Sequence, residues 1–304
     1  LANPVVRDIQ EDEKGRMWFA MQTGVSCYDG KTFKSYLNTP ADSLLWMDWG
    51  FRFLTADGTG RIWLATNYNL FYFDEKKDRF LEYDLSGVET EAPIGNVYLQ
   101  DWPEEGVAWL YIYNGVYAID AQTLKIRKVF GLPRLAGLNG RDGDGLIWEG
   151  GWSTKKIHLL RLDGTVQQKT TAPMGHIRGV FQEPGSSRVW VGSDMLLSFD
   201  KKTGNWERWS ERRHRLQFLE GMKLVPKLTG DSIMWLYPIG NPMIFGFSLQ
   251  QRKFVWQHST ERFAANDLRC GGLECTYVDS KGNLWMSGNH GVSVLFTDRN
   301  QANY

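Results

Sequence analysis

A short pattern of an aspartate, a glycine and a tryptophan recurs along this chain and limits what the chain can fold into. The pattern runs from Asp12 through Gly15 to Trp18, and it reads as a strand, a tight polar turn and a second strand. A pattern that recurs at a period of roughly 40–50 residues is typical of repeat architectures. The anchor tryptophan occurs seven times, at Trp18, Trp63, Trp109, Trp148, Trp190, Trp235 and Trp285. The full Asp-x-x-Gly-x-x-Trp spacing is strict in copies one, two, four and seven.

Each copy is predicted to hold four short strands, because β-branched and aromatic runs alternate with Gly, Asp and Asn. In copy one we expect strands at Val5–Ile9, Met17–Met21, Val25–Tyr28 and Thr32–Tyr36. Seven such meanders predict an all-β fold, a seven-bladed β-propeller of four-stranded antiparallel blades, with residues 1–304 as a single domain. An open β-solenoid is the alternative, but it would need caps at both ends.

In copy seven two segments are candidates for the fourth strand. Only a short polar stretch follows Phe296, so this strand is either that tail or sequence upstream of Leu1. Leu1 is not a start methionine and the repeat begins almost at once, so we expect the chain to be cut from a longer protein.

The charge balance argues against two classes of partner. Lys and Arg number 35, equal to Asp and Glu, so no overall field attracts nucleic acid or an anionic membrane. No apolar run approaches the roughly 18–20 residues of a membrane-spanning helix. We therefore expect no nucleic acid to bind this domain and no membrane segment in this chain.

The repeated residues are interpreted as scaffold. The tryptophan ring is predicted to pack between neighbouring blades, and the small residue two positions later leaves room for it. Asp12, Asp57, Asp142 and Asp279 are predicted to accept backbone hydrogen bonds in their turns. The Asp142–Gly145 stretch resembles the start of a calcium loop, but the later ligands of that loop are missing, so no metal is expected.

Catalytic motifs are not evident. The five histidines are scattered, without metal-ligand spacing, and no Gly-x-Ser-x-Gly elbow occurs. A carboxylate pair of the glycoside hydrolase kind stays open as an alternative. We expect no cofactor and no enzymatic activity of this domain. The three cysteines are too few for a disulfide framework, although a Cys270–Cys275 bridge is left open.

Binding residues are predicted in the loops, where the copies differ. The connections between the second and third strands, and those between successive blades, share one face of a propeller. Aromatic side chains beside Asn, Arg and His there suit sugar rings, which have apolar faces and hydroxyl edges. The candidates are Trp46, Trp49, Arg52, Tyr68, Tyr113, Asn114, Trp152, His176, Arg213, Arg215, Arg269 and His290. For Trp46 and Trp49 the alternative is that each covers the seam between blades one and two.

The stretches Ala2–Trp18, Thr23–Gly30, Asp57–Phe73 and Tyr277–Phe296 resemble the two-component regulator propeller repeat. In that family such repeats build the periplasmic sensor of hybrid two-component systems in glycan-using gut bacteria. The sensor typically holds two seven-bladed propellers and a β-sandwich domain, followed by a membrane helix, a histidine kinase, a receiver and a DNA-binding domain. The motif residues are scaffold, so the resemblance assigns no binding residue.

The resemblance implies a non-enzymatic sensor propeller, periplasmic, in the ectodomain of an inner-membrane protein. Its expected partners are an oligosaccharide, the neighbouring propeller and β-sandwich domains of the same chain, and a second copy in a homodimer of the full-length protein. The rival hypotheses are a propeller glycoside hydrolase or lyase and a pure protein–protein scaffold.

Overall fold

The structure is a computed structural model that describes residues 4–37, 53–88, 97–100, 102, 106–112, 115–132, 137–150, 155–173, 177–209, 222–229, 232–259 and 270–296. For residues 37, 222–229 and 256–259 it describes the backbone only. The described residues form β-strands joined by turns, with no α-helix among them. None of them belongs to a helix long and apolar enough to cross a membrane.

The strands are arranged as seven sheets, numbered here as blades in chain order. Blade 1 holds β1 (Val6–Glu11), β2 (Met17–Met21), β3 (Gly24–Tyr28) and β4 (Phe33–Leu37), and blade 2 holds β5 (Phe53–Ala56), β6 (Ile62–Ala65), β7 (Leu70–Asp74) and β8 (Arg79–Tyr83). Blade 3 holds β9 (Val97–Gln100), β10 (Val107–Ile112), β11 (Gly115–Asp120) and β12 (Ile126–Gly131), and blade 4 holds β13 (Leu138–Arg141), β14 (Ile147–Gly150), β15 (Lys156–Leu160) and β16 (Val166–Thr171). Blade 5 holds β17 (Gly179–Gln182), β18 (Arg188–Gly192), β19 (Leu196–Asp200) and β20 (Trp206–Trp209), and blade 6 holds β21 (Met222–Thr229), β22 (Ile233–Pro238), β23 (Met243–Ser248) and β24 (Lys253–Ser259). Blade 7 holds β25 (Leu273–Val278), β26 (Leu284–Gly288) and β27 (Gly291–Leu295).

These sheets confirm the predicted all-β, seven-bladed β-propeller fold. Within each sheet the strands follow chain order, which is the meander expected of a blade. Blade 7 differs from the predicted four strands, since three of its strands lie among the described residues. Residues 297–304, the tail considered for its fourth strand, lie outside the described part of the chain.

The meander places the connections of each blade at two opposite ends. Because successive strands run antiparallel, the turns after the first and third strands lie at one end of the sheet. The turn after the second strand and the connection to the next blade lie at the other end. We call the first the turn end and the second the loop end of a blade.

Contacts within the chain divide it into two compact units, of which the first comprises Leu1–Arg134, Glu274–Ser280 and Trp285–Ser293. In this unit Trp18 is fully buried against Ile62, Leu64 and Phe73 of blade 2. Trp63 packs in the same way on blade 3, and Trp285 packs on strands of blade 1. Here the anchor ring fills the space between one blade and the next, as predicted.

The second unit comprises Leu135–Leu273, Lys281–Leu284 and Val294–Tyr304. Its cores repeat the arrangement, with Trp148 packed against Val189, Val191 and Phe199 of blade 5. Trp190 packs against side chains of blade 6 in the same manner. At the small residue two positions after the anchor of blade 4, a Cβ on Gly150 would lie 2.6 Å from the Cδ1 atom of Ile157, so that side chain would have to shift.

The aspartate of the repeat makes the predicted turn bonds and a further bond that the sequence analysis missed. Oδ1 of Asp12 accepts the backbone N–H groups of Lys14 (3.0 Å) and Arg16 (2.9 Å). Oδ2 accepts the indole N–H of Trp18 at 2.8 Å. The same indole bond joins Trp63 to Asp57 (2.8 Å), Trp148 to Asp142 (3.0 Å) and Trp285 to Asp279 (2.8 Å). The aspartate therefore fixes both the turn and the anchor ring.

Copies three and five lack this aspartate, and their tryptophans lack the bond. Nε1 is buried without a hydrogen-bond partner in both Trp109 and Trp190. In copy five Glu183 takes the backbone place of the aspartate, since its N–H bonds the carbonyl oxygen of Arg188 across the turn. Its carboxylate instead pairs with Arg252 of blade 6 at 2.7 and 2.8 Å. An ion pair to the next blade has thus replaced the indole bond.

Polar side chains also join the turn ends of neighbouring blades. Glu75, in the turn after β7, contacts both Arg16 and Lys14 of blade 1, the latter at 3.0 Å. Lys201, in the turn after β19, lies 2.9 Å from Asp142 and 2.5 Å from Asp144 of blade 4. In the first contact the later blade supplies the carboxylate, and in the second it supplies the ammonium group. The two contacts therefore occur at the same position in the fold but use different residue types.

Lys201 also gives the Asp142–Gly145 stretch a structural explanation. The Lys201 side chain is 9% exposed, and its ammonium group contacts both carboxylates of the stretch that resembles the start of a calcium loop. The hydrogen bond from Lys201, followed by that from Gln182, lowers the pKa of Asp144. The ammonium group of Lys201 therefore offsets one of the two negative charges of this stretch.

Cys27, Cys270 and Cys275 are all buried, and none of them forms a disulfide. The Cys270–Cys275 bridge that the sequence left open is absent from the structure. Burial raises the pKa of the Cys27 thiol to about 11, so this group is a protonated thiol at neutral pH.

Candidate functional site

The predicted loop residues fall mostly outside the described part of the chain. Tyr68 and His290 are described, and the structure does not bring them together in any contact. The others lie outside the described residues: Trp46, Trp49, Arg52, Tyr113, Asn114, Trp152, His176, Arg213, Arg215 and Arg269.

Tyr68 and His290 are both exposed at the loop end of their blades. Tyr68, 58% exposed, lies in the turn between β6 and β7, and His290 lies in the turn between β26 and β27. The backbone of the Tyr68 turn is held by the next blade, since the N–H of Val97 donates to the carbonyl oxygen of Asn67 at 3.0 Å. The turn that carries Tyr68 is therefore held beside β9, the first strand of blade 3.

We call the first strand of each blade its inner strand and the last its outer strand. The inner strands of the first unit carry a row of side chains that were not among the predicted binding residues. Asp8 pairs with Ala20, Phe53 with Ala65 and Tyr98 with Tyr111, each opposite the residue two positions after an anchor tryptophan. Cys275 takes the same place in blade 7, because Ser287 donates to its carbonyl oxygen at 3.3 Å. We call these four residues, Cys275, Asp8, Phe53 and Tyr98, the inner-strand row.

One half of the row is aromatic. The rings of Phe53 and Tyr98 lie 5.6 Å apart, and Tyr98 is stacked on Tyr111 at 6.0 Å. Phe53 and Tyr98 are both half-buried on their strands. They present partly exposed ring surface held in place by neighbouring rings, next to the turn that carries Tyr68.

The other half of the row is polar. Oδ1 of Asp8 accepts the thiol of Cys275 at 3.1 Å, and Oδ2 accepts the backbone N–H of Leu54 at 2.8 Å. One residue closer to the loop end, Arg7 pairs with Glu274 at 2.8 Å, with side chains 41% and 20% exposed. A β-bulge between Val6 and Asp8 breaks the register of β1 at this place, as bulges commonly do where a side chain is redirected.

Blades 4 and 5 of the second unit have glycines at the corresponding positions. Gly179 pairs with Gly192, two residues after Trp190, and Gly137 exchanges backbone bonds with Gly150, two residues after Trp148. At these two glycines no side chain is available to contact a ligand. In blade 6 the corresponding residue is Lys223, which pairs with Tyr237 and is described by its backbone only. Among the described side chains at this position, those suited to recognition thus lie on the first strands of the blades of the first unit.

This arrangement suits a ligand with an apolar face and polar edges. Partly exposed aromatic rings offer dispersion and quadrupole contacts to a flat apolar surface. The guanidinium of Arg7 supplies donors, and the carboxylates of Glu274 and Asp8 supply acceptors, within the same set of strands. A few polar groups beside an aromatic surface are the usual composition of a small-molecule site.

A positional signal for the row exists in the sequence. Asp8 and Phe53 stand ten residues before Trp18 and Trp63, and Tyr98 stands eleven before Trp109. The anchor tryptophan is constant in the copies, whereas this position holds Asp, Phe, Tyr, Gly, Lys or Cys. The variable positions were sought in loops, and this variable position lies inside a regular strand.

One acid–base pair lies apart from the row, in blade 4. Nδ1 of His158 is 2.7 Å from Oε2 of Glu149, whose side chain is 9% exposed. A histidine held by a buried carboxylate is the arrangement of a general base. In the described part of the chain, no hydrogen bond joins His158 to a serine, threonine or cysteine, and no group of three His, Cys, Asp or Glu side chains lies in a position to hold a metal ion.

Several solved structures resemble this one across nearly the whole chain. The extracellular domain assigned to a hybrid two-component system of B. thetaiotaomicron matches with a TM-score of 0.71 and 20% identity, over 97% of this chain and 40% of that one. The extracellular domain assigned to a one-component system of the same organism matches with a TM-score of 0.68 and 15% identity, over 95% and 38%. Virginiamycin B lyase from Staphylococcus aureus matches with a TM-score of 0.66 and 14% identity, over 96% and 94%.

At these identities the likeness shows the fold alone. The chain spans about two fifths of the length of the two extracellular domains. No family model matches the chain, and no curated protein does.

Proposed function

We propose that this chain is an extracytoplasmic sensor propeller of a two-component signalling protein, and that it binds an oligosaccharide at the loop end of its first unit. The inner-strand row carries the proposal, because it places aromatic surface and charged groups on neighbouring strands beside the exposed Tyr68. The likeness to extracellular domains of two-component systems supports the sensor role.

The location and the partners that we propose rest on the resemblance of the repeat to the two-component regulator propeller repeat. The location is the periplasm, in the ectodomain of an inner-membrane hybrid histidine kinase. A neighbouring propeller, a β-sandwich domain and a second copy of the protein are its partners there. The ligand acts by binding one arrangement of the dimer more tightly than the other, since only a difference in affinity shifts such an equilibrium.

Titration calorimetry of the 304-residue protein against a panel of glycan oligosaccharides tests the proposal. We expect one class of oligosaccharide to bind, and Phe53→Ala and Tyr98→Ala each to weaken its binding about tenfold or more, as the loss of a contact worth about 1.4 kcal/mol or more requires. Phe33→Ala is the matched control, because it removes an exposed ring from an outer strand of the same unit. Equal loss in the control, or no binding by this protein while a longer ectodomain responds, would place the ligand elsewhere.

The same samples address the enzyme alternative. The likeness to a lyase propeller and the His158–Glu149 pair favour a lyase over other reactions. For a sensor we expect every oligosaccharide of the panel to be recovered intact. Turnover that His158→Gln abolishes would establish catalysis instead.

A further inference from the structure

Arg178 lies at the loop end of blade 5, one residue before the position that corresponds to the inner-strand row. We call that position, opposite the residue two places after the anchor tryptophan, the row position of a blade. In blade 5 it is Gly179, and the backbone N–H of Arg178 donates to the carbonyl oxygen of Gly192 at 2.8 Å. Ile177 and Val180, which flank Arg178 in the chain, pack in the apolar core between blades 4 and 5. Arg178 is therefore held at the loop end of this seam, within the second unit.

The side chain of Arg178 carries a buried donor without an acceptor. Its Nε atom is buried and has no hydrogen-bond partner within the described part of the chain. Arg178 as a whole is half-buried, so part of the residue reaches solvent. A buried N–H group without an acceptor costs stability, and it costs more when it belongs to a charged group. Native proteins seldom retain such a group unless water, an ion or a ligand satisfies it.

Blade 1 shows what an arginine at this place binds when the chain supplies the partner. Arg7 lies one residue before Asp8 of the row, which is the place that Arg178 holds in blade 5. The guanidinium of Arg7 pairs at 2.8 Å with the carboxylate of Glu274, on the inner strand of blade 7. Blade 7 is also the blade whose anchor tryptophan packs on blade 1. A carboxylate from the adjoining blade is thus the partner of this arginine.

Blade 4, which adjoins blade 5 in the same way, has no acid at the corresponding place. Glu274 lies one residue before Cys275, the row position of blade 7. The row position of blade 4 is Gly137, and the residue before it is Ala136, which lies outside the described residues. The row positions of blades 4 and 5 are both glycine, so neither contributes a side chain beside Arg178. An arginine is therefore kept at this place without the carboxylate that accompanies it in blade 1.

We propose that Arg178 is the anion-recognising residue of a ligand site at the loop end of blades 4 and 5, and that the group it binds is the carboxylate of a small molecule. The ligand carboxylate takes the part that Glu274 has beside Arg7. A guanidinium pairs with a carboxylate through two parallel N–H bonds, and such charge-assisted bonds are about twice as strong as neutral ones. The site belongs to the second unit and does not depend on the oligosaccharide proposed for the first.

Titration of the 304-residue protein with D-galacturonate tests the proposal. D-galactose is the matched ligand, because it differs only in having an alcohol in place of the carboxylate. The Nε–H signal of Arg178 is identified in a proton–nitrogen correlation NMR spectrum by its loss in Arg178→Lys. At constant ionic strength we expect galacturonate to shift this signal and galactose to leave it unchanged.

Calorimetry of two variants measures the contribution of the guanidinium. Arg178→Met should weaken galacturonate binding about tenfold or more, because it keeps the apolar stem and removes the charged donors. Arg161→Met is the matched control, since Arg161 is an exposed arginine of the same unit, and it should leave the affinity unchanged. Equal affinity of the Arg178→Met variant and the unaltered protein would overturn the proposal.

Stability measurements separate a ligand role from a structural one. Arg178→Met should keep or raise the urea denaturation midpoint, because it removes a buried donor that has no acceptor. A lower midpoint would mean that a group of the protein already holds the guanidinium, and it would overturn the proposal. An equal response to galactose, tighter binding of sulfate than of galacturonate, or no shift with any of the three would also overturn it. Phe53→Ala should leave the galacturonate response unchanged, and its loss in that variant would place the carboxylate in the first unit instead.

Discussion

Asp57 is 1% exposed, and its carboxylate accepts hydrogen bonds from both the turn and the anchor tryptophan. Oδ1 accepts the backbone N–H of Thr59 (3.0 Å), which shapes the turn, and Oδ2 accepts the indole N–H of Trp63 (2.8 Å), which holds the ring between blades. The turn bond could be predicted from the sequence, because Asp commonly accepts bonds from residues shortly after it. The indole bond required the strand register. In blade 1, Trp18 pairs with Gln10, so Asp12 is its diagonal neighbour on the same face, within reach of a long side chain.

Replacing Trp63 by Phe should cost more stability than replacing Trp109 by Phe. Both substitutions remove the same atoms from a ring that is at most 1% exposed. Only Trp63→Phe leaves a buried carboxylate oxygen without its partner, because Nε1 of Trp109 has none. We expect a difference in unfolding free energy of about 1–3 kcal/mol, measured by chemical denaturation of the two variants.

Trp63→Phe combined with Asp57→Ala is the control for this comparison. If the indole bond causes the difference, the two substitutions will be strongly non-additive, since the second removes the acceptor that the first left unpaired. Equal costs for Trp63→Phe and Trp109→Phe would show that ring volume alone matters at the anchor.

At the scale of elements, the turn ends of neighbouring blades are joined by side chains that no repeat pattern reveals. Lys201 and Asp142 are 59 residues apart in the chain, and the residue types at this place change from blade to blade. A sequence pattern identifies contacts inside a blade because they recur at a fixed spacing. Contacts between blades at this place depend on pairs of residues that differ in every copy, so they could not be predicted.

Lys201→Met should destabilise the second unit by about 3 kcal/mol, because removing one partner of a buried ion pair leaves the other charge uncompensated. The carboxylate of Asp142 is fully buried, and the Lys201 side chain is 9% exposed. Lys202→Met is the matched control, since Lys202 is exposed and adjacent. It should change the unfolding free energy by less than about 0.5 kcal/mol.

Thermal and chemical denaturation of the two lysine variants give the measurement. Equal effects at the two positions would mean that solvent reaches Asp142 and replaces the lost cation. In that case the contact between blades 4 and 5 would rest on the apolar side chains around Trp148 and on hydrogen bonds such as that from Trp206 to Thr170.

The binding role proposed for the inner-strand row could not be predicted from the sequence, for a different reason. Phe53 and Tyr98 stand at a nearly constant distance before their anchor tryptophans, yet each reads as an ordinary β-forming residue of its strand. Their partial exposure follows from the position of the inner strands, which the repeat alone does not specify. Tyr68 and His290, selected because they lie in turns, are indeed exposed, but their role stays a prediction.

At the scale of the whole molecule, the fold followed from the sequence because seven copies report the same structure independently. The divergent copies three, five and six lost the aspartate of the pattern and kept the tryptophan and the strands around it. The fourth strand of blade 7 could not be predicted, since the polar stretch after Phe296 does not carry the pattern of an outer strand. The ligand could not be predicted either, because recognition depends on residues that vary between copies.

A second set of aspartates, distributed over blades 1, 2, 3 and 5, makes the stability of the molecule sensitive to acid. Each one ends the third strand of its blade or directly follows it, and accepts backbone N–H groups two and three residues ahead. In every case the N–H three residues on is the largest cause of a lowered pKa, as it is for Thr32 acting on Asp29. The residues are Asp29, Asp74, Asp120 and Asp200.

Stability should therefore fall as the pH drops below the ordinary aspartate pKa of 3.8. The pKa of each group is lower in the folded than in the unfolded state, so the unfolded state binds more protons in this range. The stabilisation is complete above 3.8 and is lost as the pH falls through the lowered pKa. Urea denaturation midpoints between neutral pH and pH about 2 measure this dependence. A variant with all four residues changed to Asn should be less stable at neutral pH and should lose less stability on acidification. An unchanged dependence in that variant would assign the acid sensitivity to the ion pairs between blades, because Lys201 lowers the pKa of Asp144 in the same direction.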